Sequence, residues 1–186
     1  MRATLLASLA ASFALLAACG GDDGGPDAAP ATCESYCDAI LQNCVGAEAQ
    51  YTNRDTCLDT CAAYDQGAPG AMSGNSLECR AYHAGQALGD PTTHCVHAGP
   101  GGAGTCGSNC EGLCAIVIDS CTGTNEVYAS EQECLTACAD FTDTEKYDAS
   151  DRAGNTLACR LYHATVATGD PVTHCEHTLP VSDACF

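Results

Sequence analysis

The sequence predicts a mainly α protein: two tandem, small, disulfide-rich helical units, each a helical hairpin with a third helix, and no extended sheet. Three observations carry this. The stretch Gly74 to His97 recurs as Gly154 to His177, agreeing at Cys79/Cys159, Arg80/Arg160, Tyr82/Tyr162, His83/His163, the Gly-Asp-Pro triplets and the closing Thr-His-Cys-x-His, and a repeat of this kind fixes the architecture before any local pattern does. Apart from Cys19, the cysteines form two sets of eight at matching spacing, Cys33, Cys37, Cys44, Cys57, Cys61, Cys79, Cys95, Cys106 and Cys110, Cys114, Cys121, Cys134, Cys138, Cys159, Cys175, Cys185. The composition, 17 Cys but three Phe and no Trp in 186 residues, leaves little for a large oily core, so covalent bridges are needed to hold it.

In chain order, Met1-Arg2 is a short basic start, Leu5 to Ala18 is an apolar run too short to span a bilayer, and Leu16-Ala17-Ala18 leads into Cys19. This resembles a bacterial lipoprotein signal with its lipobox. The resemblance implies cleavage after Ala18, a diacylglyceryl thioether on Cys19 and membrane attachment through that lipid. Gly20 in place of Asp resembles the pattern sorted to the outer membrane, so the expected location is a bacterial cell envelope, periplasmic or surface-exposed. Residues 1–18 are thus the expected signal peptide. Residues 19–32, Gly/Pro/Asp-rich and without bulky side chains, form an expected disordered tether.

The first unit is expected over 33–106 and the second over 107–186. Cys33, Cys37, Ile40, Leu41 and Cys44 recur on one face of a helix, as do Cys110, Cys114, Val117, Ile118 and Cys121. Gly46 and Gly123 stand where helix caps are expected. Second helices begin near Asn53 and Glu131, with Thr52-x-x-Asp55 and Ser130-x-x-Glu133 as caps, and carry Cys57/Cys61 and Cys134/Cys138 one turn apart. Helices joined by a short turn pack antiparallel, so residues equidistant from the turn face one another. This pairs Cys33 with Cys61, Cys37 with Cys57, Cys110 with Cys138 and Cys114 with Cys134, within disulfide distance limits. The partners of Cys44, Cys79, Cys95, Cys106 and of Cys121, Cys159, Cys175, Cys185 stay open. The twin C-x3-C hairpin resembles the small translocase chaperones of the mitochondrial intermembrane space and the plant helical hairpin peptides. That likeness covers these two helices only and implies a hairpin, not a function.

A third helix is expected from about Leu77 to Ala87 and Leu157 to Ala167, ended by Gly89-Asp90-Pro91 and Gly169-Asp170-Pro171. Arg80 and Arg160 on it are expected to pair a carboxylate, with the aspartate of Gly-Asp-Pro the first candidate.

All six histidines lie in the duplicated stretch: His83, His94, His97 and His163, His174, His177. As structural groups they would cap the helix end, bond the loop and pack on the adjacent disulfide, in which case no cofactor is expected. As ligands, three imidazoles per unit suit copper or zinc. The loop with Asp140, Asp143, Glu145, Asp148 and Asp151 reads as solvated rather than as a calcium site, since it lacks the EF-hand order.

No nucleophile elbow, H-E-x-x-H, P-loop or dinucleotide glycine pattern is present, and an even set of bridged cysteines leaves no thiol to attack, so no enzymatic activity is expected. Six Lys+Arg against 24 Asp+Glu argues against nucleic acid as a partner. The expected function is a lipid-anchored envelope binding or structural module with an unidentified envelope protein or ligand as partner. The alternatives are a copper or zinc binder using three histidines per unit and, less favoured, a secreted inhibitor-like scaffold.

Overall fold

The computed structural model describes residues 29–186; the expected signal peptide, Cys19 and the tether as far as residue 28 lie outside them. In the first unit, α1 (Cys33–Asn43) and α2 (Arg54–Cys61) form the hairpin, followed by α3 (Leu77–Gln86) and α4 (Pro91–Ala98). The second unit repeats this with α5 (Asn109–Ser120), α6 (Glu131–Cys138), α7 (Leu157–Ala167) and α8 (Pro171–His174), the last continued by a 3-10 turn, Cys175–Thr178. Among the described residues there is no strand, only an isolated bridge between Thr142 and Thr156.

Each helix start has a local cause. Thr32 and Ser108 cap α1 and α5 in reciprocal capping boxes, and Asn53, Ser76, Ser130 and Thr156 each accept a backbone N–H of their own helix. Thr52 is not the cap of α2: the Asn53 side chain accepts from Thr56 N at 2.9 Å. The last residues of the expected tether are also held, because Ala31 N donates to Glu78 Oε1 at 2.9 Å and Gln66 Nε2 donates to Ala31 O at 2.9 Å. The described end of the expected tether is therefore ordered, not disordered.

Two expectations change at the helix ends. Gly46 and Gly123 do not cap α1 and α5, which end at C-caps Cys44 and Cys121. They open 3-10 turns with φ of 64° and 62°, a left-handed conformation that favours glycine. Nor do the Gly-Asp-Pro triplets simply terminate a helix. Pro91 and Pro171 occupy the first turn of α4 and α8, where a missing N–H costs nothing, and Asp90 and Asp170 are the N-caps, accepting from Thr93 N at 3.2 Å and Thr173 N at 3.3 Å.

Eight disulfides staple the fold. The hairpins are closed by Cys33–Cys61, Cys37–Cys57, Cys110–Cys138 and Cys114–Cys134. Cys44–Cys95 and Cys121–Cys175 tie the end of each first helix to the element after Gly-Asp-Pro, and Cys79–Cys106 and Cys159–Cys185 tie each third helix to the loop that ends its unit. No bridge crosses between the halves. In a chain-entropy account, closing loops of these lengths is worth about 3–4 kcal/mol each, less where loops nest.

Arg80 and Arg160 are fully buried, and neither pairs a carboxylate. Arg80 donates to the carbonyls of Ser76, Gly99 and Pro100 and lies 3.9 Å over the Tyr64 ring. Arg160 donates to the carbonyls of Thr156, Leu179, Pro180 and Cys185 and lies 4.0 Å over the Phe141 ring. The planar fork gathers the carbonyls of the loop after the fourth element, which have no helical partner, and so locks loop to helix.

The two stapled halves share one continuous core. Tyr147, from the acidic loop of the second unit, is buried and donates to Gln50 O at 3.4 Å, while Gln50 Nε2 donates to Tyr147 O at 3.3 Å. Ala149 N donates to Ala49 O at 2.7 Å. Gly112 of α5 lets the junction loop approach, since a Cβ there would lie 2.1 Å from Pro100 O.

Candidate metal centres

The Gly-Asp-Pro turn folds the fourth element of each unit back along the third. His83 on α3 is thereby brought to His94 and His97 on α4, and His163 on α7 to His174 and His177. In each trio one ring nitrogen per histidine lies within 4.8 Å of the others. The closest approaches are between Nδ1 atoms: 2.8 Å for His83 and His94, 3.0 Å for His163 and His174, 3.1 Å for His163 and His177. Nitrogens bound tetrahedrally to zinc stand about 3.3 Å apart, so each trio is close to a ligand cage as folded.

The outer bonds fix which nitrogen is free. His83 Nε2 lies 3.2 Å from Met72 O and His163 Nε2 lies 3.3 Å from Arg152 O. A carbonyl only accepts, so each Nε2 carries the proton and the neutral ring presents a bare Nδ1 lone pair inward. In the second unit His177 Nε2 lies 3.1 Å from Asp183 Oδ1, while its Nδ1 turns toward His163. The bare Nδ1 of His163 thus has the Nδ1 atoms of both His174 and His177 converging on it, at 3.0 and 3.1 Å. A lone pair flanked in this way is met by an N–H of a neighbouring ring or by a cation held among the three.

Burial disfavours the charged form of four of the six rings. Burial pushes His163 down to about 4 and holds His83, His97 and His174 below the usual imidazole range, with mutual repulsion of the neighbouring imidazoliums as a further cause in each. Neutral imidazole is the metal-ligating form. In the first unit His97 Nδ1 is buried without a hydrogen-bond partner, an orphan that a bound cation would satisfy.

The remaining candidate residues do other work. Every cysteine of the described residues is bridged. Cys79–Cys106 and Cys159–Cys185 flank His83 and His163 as walls. In the acidic loop, Asp143 accepts from Asn109 Nδ2 at 2.9 Å and Asp151 Oδ2 accepts from Asp148 N at 2.8 Å. Among the described residues, the clusters with converging ligand atoms are made of histidine and cysteine alone. Sequence reasoning missed Asp183; its place just before Cys185, whose bridge returns it to α7, was the available signal.

The fold and its sites define a class, a disulfide-rich tandem-domain protein with a three-histidine cluster in each half. The model of the BfoA family C-terminal domain matches twice, over residues 26–109 and 108–185, and the chain belongs to that family. Similar proteins include the aurasperone B biosynthesis cluster protein A of Aspergillus niger, 39% identical over 66 residues (35% of this chain, 22% of the relative). The bifonsecin B biosynthesis cluster protein A of Aspergillus brasiliensis is 38% identical over 66 residues, with the same coverage. The chain spans about a fifth of the length of these curated relatives. No solved structure matches. These relatives correct the expected location: they are fungal proteins of secondary-metabolite clusters and point to a eukaryotic origin rather than a bacterial outer membrane.

Proposed function

We propose that this chain is an exported, disulfide-stapled protein that holds one copper or zinc ion in each unit on three histidines, His83, His94 and His97 in the first and His163, His174 and His177 in the second. The observation that carries the reading is the convergence of three ring nitrogens in each unit, with His163 Nδ1 3.0 Å from His174 Nδ1 and 3.1 Å from His177 Nδ1 and its lone pair turned inward by the Arg152 carbonyl behind the ring. Rings that served only to cap a helix or fill space would not be oriented by outer acceptors toward one another. Three imidazoles leave a further coordination position for water or a partner's ligand. Export is supported by the Met1 to Ala18 pattern and by the eight bridges, since disulfides form and persist in oxidising compartments. The proposed role is binding rather than catalysis.

The test is metal analysis of the oxidised chain after zinc or copper loading and desalting. Two ions per chain are expected, one each in His83→Ala and His163→Ala, and none in the double variant. Substoichiometric metal in every sample would remove the reading.

A further inference from the structure

We infer that the two sites are unequal and that Asp183 makes the second the tighter one. This rests on the three-histidine reading above and extends it to a residue outside the ligand set. Asp183 Oδ1 lies 3.1 Å from His177 Nε2, a carboxylate placed beside the outer nitrogen of a ligand ring, where such a group raises the basicity of the inner one. The turn that carries the carboxylate is fixed. Ser182 Oγ accepts from Ala184 N and Cys185 N, both at 3.1 Å, and the Cys159–Cys185 bridge ties the turn to α7 beside His163.

The first unit has no such group. Between His97 and Cys106 the chain reads Ala-Gly-Pro-Gly-Gly-Ala-Gly-Thr, without an acid. His97 Nδ1 has no partner, whereas its counterpart His177 stands 3.1 Å from His163. Site two therefore has its three ring nitrogens drawn together before the cation arrives, His174 and His177 both within 3.1 Å of His163. Site one must first settle the tautomer and ring position of His97. Asp183 is a positioning residue, acting through His177 without touching the ion. Its side chain is 90% exposed, so replacing it removes the carboxylate without opening the core.

Titration of the metal-free oxidised chain with zinc, read against a chromophoric competing chelator, tests this. The wild type is expected to bind in two steps differing about 10- to 100-fold, the usual worth of an outer-sphere partner. His163→Ala keeps the weak step and His83→Ala the tight one. Asp183→Asn weakens the tight step about 10- to 100-fold and leaves the weak one unmoved, which doubles as the control for folding, and Asp183→Glu restores it. Equal steps in the wild type, or two unchanged steps in Asp183→Asn, overturn the inequality while leaving metal binding intact. No zinc uptake in any sample overturns both.

Discussion

His83 Nδ1 and His94 Nδ1 stand 2.8 Å apart across the α3–α4 corner, and His163 and His174 repeat the relationship at 3.0 Å. The corner exists because Asp90 and Asp170 cap the helix that Pro91 and Pro171 begin. Cap, corner and cluster form one causal chain. Asp90→Ala is expected to cost about 1 kcal/mol of stability through the lost cap and to weaken zinc binding at the first site alone, checked by thermal unfolding and by titration of the His163→Ala background.

The Cys44–Cys95 bridge holds α4, and with it His94 and His97, against α1. Removing it as Cys44→Ala/Cys95→Ala is expected to abolish the first site's metal binding and to lower stability by up to about 4 kcal/mol. Removing Cys33–Cys61, at the open end of the hairpin, is expected to lower stability while the site still loads. Metal counting on both double variants separates the outcomes.

Metal-free protein is expected to lose stability on acidification. The folded state holds His163 at about 4, against 6.5 ordinarily, so between those values the unfolded chain binds more protons. Stability therefore rises with pH across this window and falls as pH drops through it. His83, His97 and His174, shifted the same way, add to the slope. Thermal unfolding from pH 7 to pH 4 should show a falling Tm, with a shallower slope in His163→Ala.

Arg80 stands fully buried among three carbonyls and the Tyr64 ring. Arg80→Leu leaves the Gly99 and Pro100 carbonyls without their donor in the interior, and each such group costs about 1–3 kcal/mol. A loss of about 3 kcal/mol or more is expected by denaturant titration, and Arg80→Lys should recover only part of it because an ammonium cannot span the same acceptors.

The joint between the halves makes a different prediction. Tyr147 is buried against Gln50 of the other unit, and Tyr147→Ala is expected to cost about 3–5 kcal/mol, the range for emptying a large aromatic site. Because no disulfide crosses the joint, the halves should then unfold in separate transitions, visible by calorimetry.

The hairpins were legible in the sequence because Cys33/Cys61 and Cys37/Cys57 are symmetric about one short turn, so local geometry alone pairs them. Cys44 and Cys79 were not, since their partners lie on α4 and in the closing loop, whose positions depend on the tertiary path. Proline at 91 and 171 signals either the end of one helix or the start of another, and the aspartate before it decides for the start. The arginines' partners are backbone carbonyls, which every residue carries and no pattern marks. Tyr147 at the joint has no counterpart in the repeat register that would have flagged it. The three-histidine grouping was visible as spacing; the orientation of the rings was not, because it is set by the backbone carbonyls of Met72 and Arg152, which no side-chain pattern marks.

Anomalous diffraction from crystals of the oxidised chain soaked in zinc is the most direct test of the central claim that each histidine trio is a ligand cage. Two peaks are predicted, one among His83, His94 and His97 and one among His163, His174 and His177, each about 2.0–2.1 Å from three nitrogens. Empty trios at saturating zinc, or peaks only on surface carboxylates, would contradict it.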